Sequence, residues 1–118
     1  MRFFINYEPP NWNNYIALER GSKYGANALK QQEKHMMQVL TRGIKYTGKY
    51  PVEVTIRPHY NAYRQDLDNC RYKGLLDGLV YAGVIKNDNL KHIQRITLEP
   101  IFDDKIGIEI EIKELKNK

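Results

Sequence analysis

Cysteine is almost absent from this chain, because Cys70 is the only one in 118 residues. An intramolecular disulfide is therefore excluded, and His35, His59 and His92 show no zinc-ligand spacing with Cys70. Long apolar runs are also lacking, since the best one, residues 78–85, is far too short to span a bilayer. With no signal peptide evident, we expect an intracellular, cytoplasmic protein with no membrane partner.

The length and composition indicate one small folded domain covering residues 1–118, with 42% hydrophobic and 28% charged residues. The net charge of +5 favours a polyanionic partner such as nucleic acid, although many basic proteins bind none. The placement of the acids is more informative. Asp66, Asp68, Asp77 and Asp88 fall in one window of an otherwise basic chain, which suggests a metal site where phosphate must bind.

The hydrophobic pattern predicts a small α+β fold in the order β-α-β-α-β-β, with a mixed sheet and two main helices. The predicted strands are residues 2–7, 52–57, 93–102 and 106–112, and the predicted helices are residues 27–42 and a segment ending near residue 82. Gly43 and Gly83 offer stops for the two helices. The last two strands are expected to form a hairpin across Asp103-Asp104-Lys105.

The second helix is the most strongly patterned element, with an apolar stripe at Tyr72, Leu75, Leu76, Leu79 and Val80. Two carboxylates precede it, at Asp66 and Asp68. One interpretation is that either residue caps the helix. The other is that side chains separated by one residue point to the same side and share a hard cation such as Mg²⁺, which prefers oxygen ligands.

The wider sequence resembles the RusA family of Holliday junction resolvases. The resemblance extends over nearly the whole chain, from a proline-rich loop at residues 9–13 to a closing strand at residues 109–112. The motifs that carry it are Asp66-Leu67-Asp68-Asn69, Lys73, Leu76-Asp77-Gly78-Leu79, Gly83-Val84 and Asp88 followed by Ile93.

The resemblance implies that Asp66, Asp68 and Asp88 are catalytic and bind Mg²⁺, with Mn²⁺ as a substitute. Two departures affect the site. Asn87 stands where many relatives have a second acid, and the family's catalytic lysine is matched by Lys73 only with a shift of one residue. Arg71 is an alternative source of that positive charge, and Lys73 could instead form an ion pair with Asp77 four residues on.

The family resemblance further implies a homodimer that resolves four-way DNA junctions by paired symmetric nicks, leaving a 5′-phosphate. We expect Gly74 and Gly78 to permit close approach of a partner helix, or to serve local packing. The alternative functions are a non-catalytic module that binds branched DNA and a flap or replication-fork nuclease. Basic residues that bracket the acids are candidate phosphate contacts, although each could be solvated surface: Arg57, Arg64, Arg71, Lys73, Lys86 and Lys91.

Overall fold

The computed structural model describes residues 1–6, 23–60, 70 and 72–116. The elements in chain order are β1 (Arg2–Ile5), α1 (Lys23–Leu40), β2 (Val52–Tyr60), α2 (Tyr72–Tyr81), β3 (Ile93–Leu98), β4 (Ile101–Phe102) and β5 (Gly107–Glu114). The predicted α+β fold with a mixed sheet and two main helices is confirmed. Within this described part of the chain, neither helix is long and apolar enough to cross a membrane.

The sheet has the order β1-β5-β2-β3, and β4 also pairs with β2. β3 and β4 run parallel to β2, whereas β5 runs antiparallel to both β2 and β1. The predicted hairpin between the last two strands is therefore wrong. A parallel neighbour requires a crossover, which α2 provides between β2 and β3, and β5 then occupies the opposite edge of β2.

The segment predicted as a hairpin turn instead carries the chain past the end of β2. His59 is opposite Ile101 of β4 on one side and Gly107 of β5 on the other. The Nδ1 of His59 lies 2.9 and 3.0 Å from the two carboxylate oxygens of Asp103, and the Asp103 N–H donates to the Tyr60 carbonyl at 2.9 Å. These bonds hold the connection between β4 and β5 against the end of β2.

The helices and one face of the sheet share a single hydrophobic core. The apolar residues on one face of β2 and β5 are buried, as expected where that face is covered, and Thr55 and Glu111 on the other face are buried as well. From α2, Leu75, Leu76 and Leu79 are buried, so the predicted apolar stripe does face the core. The fully buried apolar strand residues are Ile5, Val52, Val54, Ile56, Ile108, Ile110 and Ile112.

Both predicted glycine stops are confirmed by positive φ angles, 80° at Gly43 and 81° at Gly83. Of the two uses that we considered for Gly78, a partner-helix contact and local packing, the structure shows local packing. A Cβ at Gly78 would overlap the Cβ and Cγ of Met37 in α1, so the missing side chain lets α1 and α2 of the same chain approach closely. The space beside Gly78 is therefore filled from within the chain.

Candidate active site

Asp88 lies in the loop that joins α2 to β3, residues 82–92. The start of this loop is fixed in the core, because Val84 and Ile85 are each only 1% exposed. The Val84 N–H donates to the Leu79 carbonyl at 2.9 Å, which continues the hydrogen bonding of α2 past Gly83. Residues 86–91 are exposed, so the carboxylate of Asp88 is presented to solvent from a well-anchored segment.

Asn87 shapes the backbone around Asp88. Its Oδ1 accepts hydrogen bonds from the N–H groups of Asp88 at 2.7 Å and Asn89 at 3.1 Å. The Asn89 carbonyl in turn accepts from the N–H groups of His92 and Ile93, both at 2.9 Å. Side-chain acceptors of this kind hold turns in a fixed conformation. Asn87 therefore orders the turn that carries Asp88.

Tyr50 clamps the same loop from the segment that precedes β2. Its hydroxyl accepts the Lys86 N–H at 3.1 Å, and its ring meets His92 edge to face with 4.8 Å between centroids. The Nδ1 of His92 lies 2.7 Å from Oδ1 of Asn89, and the Tyr46 N–H donates to the Val84 carbonyl at 2.9 Å. The loop is thus held on both sides of Asp88.

At its other end, α2 begins directly after the acidic segment. Cys70 is buried, and its carbonyl accepts the Tyr72 N–H at 2.8 Å. Burial raises the pKa of the Cys70 thiol to about 11, so this cysteine packs as an apolar residue. Lys73 is exposed and forms no ion pair with any described residue, Asp77 included.

Arg57 lies on the sheet face opposite the helices. Its guanidinium donates to Glu109 and Glu111, each at 2.9 Å, and to Glu99 at 3.1 Å. The Arg57 side chain is 15% exposed. Its hydrogen bond lowers the pKa of Glu111, and the same bond raises the pKa of Arg57. The donors of this guanidinium are occupied by carboxylates.

The predicted site residues divide into three groups. Asp66, Asp68, Arg64 and Arg71 lie outside the described residues. A second group is exposed on α2 or on the loop that follows it: Lys73, Lys86, Asp88 and Lys91. Arg57 alone is on the sheet.

Two contributors to the site were missed by sequence reasoning. The family comparison in the sequence identifies Asn87 only as a missing acid, although Asn before Asp is a typical turn signal. Tyr50 gave no local signal, because its contacts reach residues 36 and 42 positions away. Both act on the backbone around Asp88 and leave its carboxylate available.

The described residues alone do not complete a metal site, because no group of three His, Cys, Asp or Glu side chains among them could hold an ion. An ion bound at Asp88 would need further oxygen ligands. The motif Asp66-Leu67-Asp68 would add two carboxylates, whose hard oxygen atoms fit Mg²⁺, which keeps several waters and needs few protein ligands. The donor chemistry of the three aspartates therefore fits Mg²⁺.

A comparison with protein-family models matches residues 5–113 to the endodeoxyribonuclease RusA. The chain belongs to the RusA family. The match begins at the last residue of β1, ends in β5 and includes Asp66, Asp68 and Asp88. The RusA family implies an endonuclease that resolves Holliday junctions, and resolvase nucleases of this family generally depend on a divalent metal. No curated protein matched the chain.

Proposed function

We propose that this RusA-family protein is a Mg²⁺-dependent, homodimeric endonuclease that resolves four-way DNA junctions by paired symmetric nicks, leaving 5′-phosphates. The observation that carries the proposal is Asp88, an exposed carboxylate on a turn fixed by Asn87 and Tyr50, within the RusA match. We place the protein in the cytoplasm, acting on DNA during recombination or repair.

In this proposal Asp66, Asp68 and Asp88 hold the ion, for which Mn²⁺ can substitute. Bound Mg²⁺ polarises the scissile phosphate and favours deprotonation of the attacking water. The turn ordered by Asn87 fixes the backbone that carries Asp88, which reduces the ordering needed when the ion binds. Lys73 is exposed at the start of α2 without an ion-pair partner among described residues, so it can approach the charged phosphate.

The proposal of a dimer is supported by the family resemblance and by the length of α2. The helix from Tyr72 to Tyr81 spans about 15 Å, and in chain order Asp66 and Asp68 precede this helix whereas Asp88 follows it. A partner subunit related by two-fold symmetry can supply Asp88 to the other chain's Asp66 and Asp68. Because Gly78 packs against Met37 within the chain, this partner contact uses another surface than the Gly78 side of α2.

The phosphate contacts that we propose are Arg64, Arg71, Lys73, Lys86 and Lys91. Lys73, Lys86 and Lys91 are exposed and form no ion pair with described residues. Arg57 is the least suited of the original candidates, because three carboxylates already occupy its guanidinium. We assign it a role in the stability of the sheet.

The main test is substitution of each acid by the isosteric amide. Asp66→Asn, Asp68→Asn and Asp88→Asn should each abolish nicking of a synthetic four-way junction in Mg²⁺, while junction binding in Ca²⁺ persists. Asp77→Asn is the matched control, since it makes the same chemical change on α2 and should still cleave. Loss of junction binding together with cleavage in all three variants would count against a metal role.

A mixing experiment tests which subunit supplies Asp88. A heterodimer of Asp66→Asn and Asp88→Asn chains contains one intact site if the acids come from different subunits, and none if they come from one. We expect the mixed dimer to nick one strand of the junction, although each homodimer is inactive. A mixed dimer without any nicking would show that the acids act within one chain.

The preferred branch is tested by comparing substrates at one salt concentration, since salt alone changes affinity for every DNA. We expect faster cleavage of four-way junctions than of flaps, forks or linear duplex. Equal or faster cleavage of flaps would instead support the flap-nuclease alternative. Purified protein that binds junctions without cleaving them in Mg²⁺ or Mn²⁺ would support a non-catalytic module.

A further inference from the structure

Some basic side chains of this protein form an ion pair with a carboxylate, and others do not. On the open face of the sheet, Arg2, Arg57, Arg95 and Lys113 each lie within 4 Å of a glutamate. Another set is exposed and has no ion-pair partner among the described residues: Arg42, Lys45, Lys49, Lys73, Lys86, Lys91, Lys105 and Lys116. The capacity to bind phosphate is therefore greatest in this second set.

Backbone and side-chain bonds bring the members of this second set other than Lys73 and Lys105 to one end of the sheet. Residues 42–50 run beside the Asp88 loop through the Tyr46 N–H bond to Val84 and the Tyr50 bond to Lys86. The Val52 N–H donates to the His92 carbonyl at 2.7 Å, and the Leu115 N–H donates to the Pro51 carbonyl at 2.8 Å. We call the exposed surface of residues 42–50, 86–91 and 116 the basic end.

Two acids moderate the charge of the basic end, Asp88 and Glu114. Asp88 belongs to the proposed metal site, where the ion offsets its charge. Glu114 is exposed on β5 and acts electrostatically on Tyr46, whose pKa is raised mainly by burial. The cations still outnumber the acids, so an extended polyanion that reaches Asp88 meets a positive surface beside it.

The tyrosines of this segment decide what kind of DNA contact it can make. Tyr46 donates its hydroxyl to the Lys49 carbonyl at 2.6 Å, and its ring meets Tyr50 edge to face at 5.3 Å. Tyr50 is engaged with Lys86 and His92. Both rings are partly buried against the core, so neither is presented for stacking on an unpaired base. We therefore expect the exposed lysines to contact the phosphates, which carry the charge of DNA.

We propose that the basic end binds the sugar–phosphate backbone of a duplex arm of the junction, through residues 42–50 as well as the Asp88 loop. This inference rests on the proposed function. The segment 42–50 lies outside the motifs that carry the RusA resemblance, so it adds a DNA contact beyond the metal site. Contacts to phosphate fix position without reading base sequence.

The test is the salt dependence of binding to a fluorescent four-way junction in EDTA, where cleavage plays no part. Each phosphate contact that is lost should reduce the slope of log K against log salt by about 0.9. We expect Lys45→Gln/Lys49→Gln to lose nearly two units of slope and at least tenfold in affinity near 0.1 M salt. The loss should be equal on two junctions with unrelated arm sequences.

Lys113→Gln is the matched control. Lys113 is exposed like Lys45 and Lys49, but its Nζ lies 3.5 Å from Glu111 on the open face. It should keep the slope and affinity of the unchanged protein, and melting curves should show that all variants fold.

Three results would overturn the inference. These are an unchanged slope in the Lys45/Lys49 double variant, an equal loss in Lys113→Gln, or a loss confined to one arm sequence. The first and second leave the proposed nuclease intact if the unchanged protein still binds and nicks the junction. An unchanged protein that binds no junction at any salt would refute both proposals together.

Discussion

Replacing Arg57 by methionine removes the guanidinium that Glu99, Glu109 and Glu111 share, while keeping much of the aliphatic volume. A hydrogen bond to a charged group contributes about 1.5–3 kcal/mol, and removal of one partner of a buried ion pair costs about 3–5 kcal/mol. Here the side chains of Arg57 and Glu111 are 15% and 9% exposed, whereas that of Glu99 is 60% exposed. The Glu99 contact therefore adds little.

From these contacts we expect Arg57→Met to lower the free energy of unfolding by about 2–4 kcal/mol. For a chain of this length, the loss corresponds to a fall in Tm of roughly 8–16 °C. Urea denaturation at neutral pH gives the free energy directly. In a double-mutant cycle with Glu111→Gln, the two losses should be less than additive, because the second change removes the stranded carboxylate.

Arg95→Met is the matched control. Arg95 lies on the same face, but it is 61% exposed and its Nε is 3.9 Å from Glu53, so its loss should cost no more than about 0.5 kcal/mol. Equal losses for Arg57→Met and Arg95→Met would refute the reasoning. Below its melting range, Arg57→Met should bind junctions with unchanged affinity, and a selective loss of binding would restore Arg57 as a phosphate contact.

Three further predictions concern packing, reactivity and pH. Gly78→Ala gains about 1 kcal/mol of helix propensity, but the new methyl group must displace Met37 at a cost of about 1–3 kcal/mol. We therefore expect urea denaturation to show a net loss of stability, and the double variant Gly78→Ala/Met37→Ala to recover part of that loss. Cys70 should react slowly with a thiol reagent in the folded protein and rapidly in urea, since it is buried and its pKa is about 11. The pKa values of Asp103 and Glu111 are lowered, chiefly by hydrogen bonds from His59 and Arg57 respectively. Their contribution to the stability of the fold is therefore present above the unfolded carboxyl pKa of about 4 and is lost on acidification. Tm should fall from pH 5 to pH 3, and less steeply in Glu111→Gln; an equal fall in both proteins would contradict that assignment.

Local pattern was sufficient for the elements whose faces are set by backbone period. The stripe of Leu75, Leu76 and Leu79 predicted the buried face of α2, because every third or fourth side chain of a helix points the same way. Gly83 marked the end of α2 because only a residue without Cβ adopts its φ of 81° at little cost. For β5, the alternation was correct at Ile108, Ile110 and Ile112 and failed at Ile106, which is 60% exposed before the strand begins.

Strand partners were beyond the reach of that reasoning. The pattern of residues 93–112 is compatible with a hairpin and equally with two strands that both pair with β2. Alternation indicates which side chains are buried, but it does not indicate which strand is the hydrogen-bonding partner. The same holds for Arg57, whose carboxylate partners lie 42–54 positions further along the chain. Because Arg57 is a basic residue near an acidic motif, its position in the sequence suggested a phosphate contact. In the structure, the pairing of β2 with β5 instead places carboxylates beside it.

The sequence by itself determined the RusA family, the α+β class and which aspartates are candidates for the metal, because these depend on residue type and spacing along the chain. Tertiary structure alone decided that β2 lies between β3 and β5, that Tyr50 holds the Asp88 loop, and that Gly78 receives Met37. The physical reason is that hydrogen-bonding partners and close packing depend on distance in space, which folding makes short for residues far apart in the chain.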